Sequence, residues 1–170
     1  NQVFVGGRLN PGIDEGFSST LSFDRLGMGM WSVLELDLYG PNPAHQDQIR
    51  VRNHFTSDPS TQLKLHFSYQ PATNDVIQIV QAEAPNTCFI YNWTEVQFVN
   101  VRRLTSQRGV YQDDEFIGDV LFATNGITVT NVRRPATLPL QVVSSSGNGF
   151  MQNVQAATSI GQRLQWLRSH

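Results

Sequence analysis

The sequence predicts an all-β fold, either an antiparallel β-barrel or a β-sandwich, with a C-terminal α-helix packed on it. Three observations lead there. Apolar and polar residues alternate at period two in run after run up to residue 144, the pattern of strands with one covered face. Proline, glycine and asparagine punctuate those runs at short intervals. A spacing of three and four between apolar residues occurs only in the last twenty residues.

Taken in order, the expected strands begin with Val3 to Val5, Phe17 to Phe23 and Trp31 to Tyr39. The two clearest follow: Ile49, Val51 and Phe55 alternate with Arg50, Arg52 and His54, and Leu63, Leu65, Phe67 and Tyr69 alternate with Lys64, His66 and Ser68. Their separation by Asp58-Pro59 makes residues 49 to 70 an expected hairpin. Val76 to Gln81, Cys88 to Trp93, Glu95 to Leu104, Phe116 to Ala123, Ile127 to Val132 and Leu138 to Ser144 complete the set. Between the strands ending at Ala123 and beginning at Ile127, Asn125-Gly126 is the signature of a two-residue hairpin turn, because both residues tolerate positive φ. Many short strands with no helical pattern between them argue for a barrel or sandwich over a parallel sheet. After a linker at 144–149, Phe150, Val154, Ala157, Ile160, Leu164 and Leu167 trace one stripe of a helix over 150–168. The whole chain reads as a single β-rich domain.

Composition narrows the function. Hydrophobic residues make up 39% of the chain and charged residues 15%, which suits a packed core and not a disordered segment. A formal charge of -2 lacks the basic excess with which nucleic-acid binders neutralise phosphates, so nucleic acid is not an expected partner. No apolar run is long enough to span a bilayer, and the chain reads as soluble. Cys88 is the only cysteine; it excludes an internal disulfide or a thiolate zinc cage and fits a reducing compartment, which favours the cytoplasm.

The best candidate site is the polar face of the expected 49–70 hairpin. Cross-strand partners share a face, so either plausible register gathers Arg50, Arg52, His54, Lys64 and His66 into one cationic strip. Guanidinium groups match carboxylates and phosphates, and such a strip would take an anionic ligand or an acidic partner. A solvated outer face explains the same residues. His54 opposite His66 lacks further ligands for zinc, so no metal is expected. Arg102 and Arg133 lie near strand ends, where they could pair the carboxylate of an amphipathic ligand at a barrel mouth or form salt bridges with nearby acids. Tyr91 and Trp93, on one face of a strand, could offer a stacking platform for a sugar, or pack in the core. No local motif for nucleotide binding, nucleophilic catalysis or a zinc protease is present, and no cofactor is indicated.

Residues Tyr111 to Thr124, ending Val120-Leu121-Phe122-Ala123-Thr124, resemble a strand pair near the carboxyl end of lipocalin-like phycobilin lyases. The Trp-Ser-x-Arg and His-His pattern at the front of that family is missing. The resemblance implies a calycin barrel that binds a carboxylate-bearing tetrapyrrole; it assigns no site residue. The leading functional expectation is therefore a β-barrel binding a lipophilic or carboxylate-bearing amphipathic small molecule. The alternative is a β-sandwich interaction module for glycan or protein, as part of a viral or surface assembly or of a homo-oligomer. A barrel cyclase, isomerase or chromophore lyase is a third. An enclosed apolar cavity would favour the first, and a solidly filled interior the second.

Overall fold

The computed structural model describes residues 2–12, 17–83 and 96–135, with the backbone of 141–142 and 154–155. The chain divides into two compact units, Asn1–Arg133 and Arg134–His170.

The first unit is all-β, and its first seven strands alternate between two sheets. β1 (Gln2–Val5), β3 (Thr20–Met28), β5 (Gln48–Ser57) and β7 (Val76–Ala82) are neighbours in one sheet; β2 (Arg8–Leu9), β4 (Val33–Leu38) and β6 (Gln62–Phe67) form the other. Every pairing among these seven is parallel. Each turn of the chain thus lays one strand on each sheet, the winding of a parallel β-coil. β8 (Val101–Arg103), β9 (Arg108–Gln112), β10 (Ile117–Ala123) and β11 (Gly126–Arg133) then extend the first sheet in antiparallel fashion, to give the order β1-β3-β5-β7-β11-β10-β9-β8.

The expected all-β class holds, but in the first unit the antiparallel pairings are those of β7 with β11 and among β8–β11. The expected 49–70 hairpin does not form. Its two strands exist as β5 and β6, yet they lie in different sheets, with Asp58 to Thr61 as the corner between them. Alternation reports that one face of a strand is covered and carries no information about the direction of its neighbour, so the pattern fits both arrangements equally.

Corners stack in register along one edge of the coil. Val5, Met28 and Ser57 are aligned across sheet neighbours, and Arg8, Val33 and Gln62 align after the corner. Each corner donates to the one before it: Gly29 N–H to Val5 O at 2.8 Å, Val33 N–H to Gly7 O at 2.9 Å, Asp58 N–H to Met28 O at 2.9 Å and Gln62 N–H to Ser32 O at 2.9 Å. The hydroxyls of Ser32 and Thr61 also meet, at 3.2 Å.

Leucines at alternate positions of β4 (Leu34, Leu36, Leu38) and β6 (Leu63, Leu65) face Ile49, Val51, Phe55, Ile77 and Ile79 across the sheets, and all are buried. At roughly 1.5–3 kcal/mol for each fully buried side chain, this contact is the main force joining the layers. The register shifts once between β3 and β5: Phe23 pairs with Val51 but Arg25 with His54, and beyond the shift the buried Leu26 and Phe55 are partners.

The antiparallel end curls over the last strand of the smaller sheet as a half-barrel. Phe116 packs on Phe67 with ring centroids 4.7 Å apart. Asn100 and Tyr111 both reach the backbone of β6. The hairpin expected around Asn125-Gly126 is present, with Ala123 paired to Gly126, so that Thr124 and Asn125 are its turn residues. Gly126 has φ +142°, and a Cβ there would stand 2.1 Å from the Val80 carbonyl oxygen. Close approach of β7 is the reason for the glycine.

In the second unit, β12 (Gln141–Val142) and β13 (Val154–Gln155) form an antiparallel pair. The helix expected over 150–168 lies outside the described residues except at Val154–Gln155, which are strand. The stripe that suggested a helix passes through Val154, and a single residue of such a stripe serves a strand as well.

Candidate functional site

The five residues of the expected cationic strip are split between two sheets. Arg50, Arg52 and His54 lie on β5, where Arg50 pairs with Ser22 and His54 with Arg25 across β3. Arg50 donates to Gln48 Oε1 at 3.0 Å, and Arg52 Nε lies 3.3 Å from Glu83 Oε2. Lys64 and His66 lie on β6, opposite Glu35 and Asp37 of β4. There the buried Glu35 carboxylate takes an ion pair from Arg8 at 2.9 Å and a contact with His66 Nε2. The Arg8 contact is coulombic, since Glu35 Oε2 accepts no hydrogen bond. Arg52 and His66 thus each stand beside a carboxylate, Glu83 and Glu35.

Arg102 and Arg133 do share a surface, the outer face of the antiparallel strands. Arg102 stands opposite Val110, which is opposite Asp119, which is opposite Thr130; Arg133 stands opposite Ile117. An open cleft of about 450 Å³ on this face is lined by Leu104, Arg108, Asp119, Leu121 and Thr130, with neither Arg102 nor Arg133 in its wall. Asp119 accepts from Asn131 at 2.8 Å. Tyr91 and Trp93 lie outside the described residues.

Arg103, beside Arg102, points the other way. Its guanidinium sits 3.2 Å from the centroid of the Phe122 ring and donates to Val96 O at 2.6 Å and Ser106 O at 3.0 Å. Partial burial lowers its pKa to about 10. It closes the end of the core with its stem and its ring contact.

The two ends of the coil differ sharply. At the β6 edge, Asn100 brackets Leu63: Leu63 N–H donates to Oδ1 at 3.1 Å and Asn100 Nδ2 donates to Leu63 O at 2.7 Å. Val99 N–H donates to Thr61 O at 2.8 Å, and the Leu65 amide meets the Tyr111 hydroxyl. The Tyr111 hydroxyl in turn donates to Asp113 Oδ2, and burial raises its pKa. Both main-chain groups of Leu63, the Thr61 carbonyl and the Leu65 amide at this edge are therefore engaged.

At the opposite edge, β1 and β2 each have one sheet neighbour among the described residues. β1 is Gln2-Val3-Phe4-Val5, without a charge or a proline. Val3, on the core-facing side, is 40% exposed, whereas its neighbour Leu26 is 1% exposed. Phe4, on the other side, is 70% exposed and lies against Gly27, where a Cβ would come within 2.5 Å of its ring. The repeat of the corners directs the Gly6 and Arg8 amides off this end, since the equivalent amides of Gly29 and Val33, and of Asp58 and Gln62, each bond the coil before them. Nearby, Trp31 is 77% exposed with φ 60°, held by a 2.9 Å bond from its amide to Ser60 Oγ. The β1 edge is uncharged and half-covered, and β2 carries Arg8, paired with Glu35; strand edges with outward amides can template a further strand.

Sequence reasoning listed β1 as a strand but could not mark it as a terminal one, because the parallel neighbour β3 is distant in sequence and β2 is only two residues long. The absence of charge in residues 2–5 was the one available signal. Comparison with protein-family models, curated proteins and solved structures finds no match.

Proposed function

We propose that this chain is an interaction module that receives a pair of extended strands from a partner polypeptide on β1 and β2 and terminates the resulting two-sheet coil with its antiparallel end. The observation that carries this reading is the contrast between the edges: Asn100 and Tyr111 occupy the backbone of β6, while the uncharged β1 carries Val3 and Phe4 exposed. Stacked β-structures need their terminal repeats capped, and among the described residues only the β6 end carries such a stopper. The partner would present apolar side chains against Val3, Val5 and Leu9 and main-chain groups to the Gly6 and Arg8 amides.

Hydrogen exchange tests this directly. A synthetic peptide with the sequence of residues 18–38, which already forms the strand–corner–strand neighbour of β1 and β2, is added in excess. Slowed exchange at Gly6 and Arg8 with unchanged exchange in β8–β11 is the expected result; unaltered exchange at both ends contradicts the reading.

A second reading keeps the small-molecule ligand but moves it from the interior to the outer cleft by Leu104, Arg108 and Leu121, where an amphipathic acid would place its carboxylate on Arg108. The interior favours it less, because Leu34, Leu36, Ile49, Phe55 and Ile79 fill the space between the sheets. Mass spectrometry of the purified protein for a retained ligand, with absorbance above about 350 nm for a tetrapyrrole, separates the two readings.

A further inference from the structure

We infer that the outer cleft of the antiparallel strands takes a zwitterion, a free α-amino acid with an apolar side chain, whose carboxylate lies on Arg108 and whose ammonium lies on Asp119. The inference rests on the reading of this cleft as a ligand site and names its ligand.

Gly109 of β9 and Val120 of β10, direct partners in the sheet, lie beneath the cleft. Arg108 pairs with Leu121, and Asp119 precedes Leu121 by two residues, on the same face of β10. Diagonal neighbours of this kind have attachment points roughly 7–8 Å apart. The two charges do not pair with each other, and the Arg108 guanidinium has no hydrogen-bond or ion-pair partner among the described residues. Asp119 accepts from Asn131 through Oδ2, which leaves Oδ1 open. Thr130, the direct partner of Asp119, brings a hydroxyl to the same wall. Two leucines flank Arg108: Leu104 N–H donates to its carbonyl at 2.9 Å from one side, and Leu121 stands opposite on the other. They are 54% and 43% exposed, so the cleft offers uncovered apolar surface beside its charges.

Opposite charges that share a cleft without meeting each other match a ligand that carries both. A carboxylate fits the guanidinium fork of Arg108, and an ammonium has donors for Asp119 Oδ1 and the Thr130 hydroxyl. An α-amino acid holds these two groups on one carbon, a spacing that fits between side chains set one diagonal apart. The third substituent of that carbon then lies against Leu104 and Leu121. Other ligands satisfy only part of the wall. A monoacid leaves Asp119 without a donor, a simple cation is repelled by Arg108, and a polyanion is repelled by Asp119; each mismatch discriminates against that ligand. Arg102 shares the outer face but stands beyond Val110, outside the wall, and does not neutralise Asp119. A volume of about 450 Å³ lies within the range of small-molecule sites.

The test is equilibrium dialysis of the full chain against L-leucine, L-methionine and L-phenylalanine, with the N-acetyl and amide derivatives of each and with octanoate as comparison ligands. Acetylation removes the ammonium and amidation removes the carboxylate. Arg108→Gln and Asp119→Asn change exposed side chains, so both variants should keep the wild-type dichroism and thermal midpoint, and Arg50→Gln on β5 is the control. The expected result is that at least one free amino acid binds. Its affinity falls at least about tenfold on acetylation, on amidation and in either cleft variant, and is unchanged by Arg50→Gln. The inference is overturned if none of the three amino acids binds at millimolar concentrations, if a derivative binds as tightly as its parent, or if binding is indifferent to either cleft variant. If octanoate binds and Arg108→Gln weakens it while no amino acid does, the cleft remains a ligand site and only the zwitterion falls. If neither class of ligand binds, both readings fall.

Discussion

Asn100 binds Leu63 through both ends of its side-chain amide, accepting from the Leu63 N–H at 3.1 Å and donating to its carbonyl at 2.7 Å. One side chain thereby imitates the two main-chain groups of an absent strand at the edge of β6. The geometry demands a donor and an acceptor in one planar group, so Asn100→Asp should fail as surely as Asn100→Ala, each by about 1–3 kcal/mol, the penalty for leaving part-buried main-chain groups unpaired. Urea unfolding checks the loss. Equal midpoints for wild type and Asn100→Asp would remove the stopper role.

Gly126→Ala should be among the most damaging single-atom changes in the chain. The added carbon meets the Val80 carbonyl oxygen at 2.1 Å and Gln78 Nε2 at 2.9 Å, in a backbone with φ +142° that side chains rarely adopt. We expect a loss of about 2 kcal/mol or more, read as a lowered thermal midpoint, with Asn125→Ala on the adjacent turn costing far less.

Asp47 is fully buried and ties two segments together: Oδ1 accepts from Ser19 N–H at 2.8 Å and Oδ2 from Asp37 N–H at 3.0 Å. Desolvation raises its pKa above the ordinary aspartate value despite these bonds, with the neighbouring Asp37 charge acting in the same direction. The folded state therefore holds this proton more tightly than the unfolded one. The corresponding stabilisation is complete below the ordinary aspartate pKa and is lost as pH rises through the raised folded value. Unfolding free energies of wild type and Asp47→Asn, measured from about pH 4 to 7, should show the wild type losing ground to the variant as pH increases. A difference independent of pH, or one that grows in favour of wild type, contradicts the assignment.

Arg52 and His66 would be coupled if they faced each other across a hairpin. They occupy separate sheets, Arg52 beside Glu83 and His66 beside Glu35. A double-mutant cycle on Arg52→Ala and His66→Ala should be additive within about 0.3–0.5 kcal/mol. A larger coupling would return the two residues to one strip. Each single change should cost no more than about 1 kcal/mol, since both side chains are substantially exposed.

The sequence alone determined which residues turn inward. Ile49, Val51, Phe55, Leu63 and Leu65 are buried as their alternation requires, and Arg50, Arg52 and His66 are exposed. It also placed the β10–β11 hairpin within one residue of its turn, because turn chemistry is local. Tertiary structure alone decided the rest: that β5 and β6 part into two sheets, that Asn100 seals one edge, and that β1 and β2 stand at the other. The physical reason is range. Side-chain period depends on the pleat of a single strand, whereas strand direction and edge position depend on which distant segment supplies the hydrogen bonds, and a pattern of apolar and polar residues is blind to that choice.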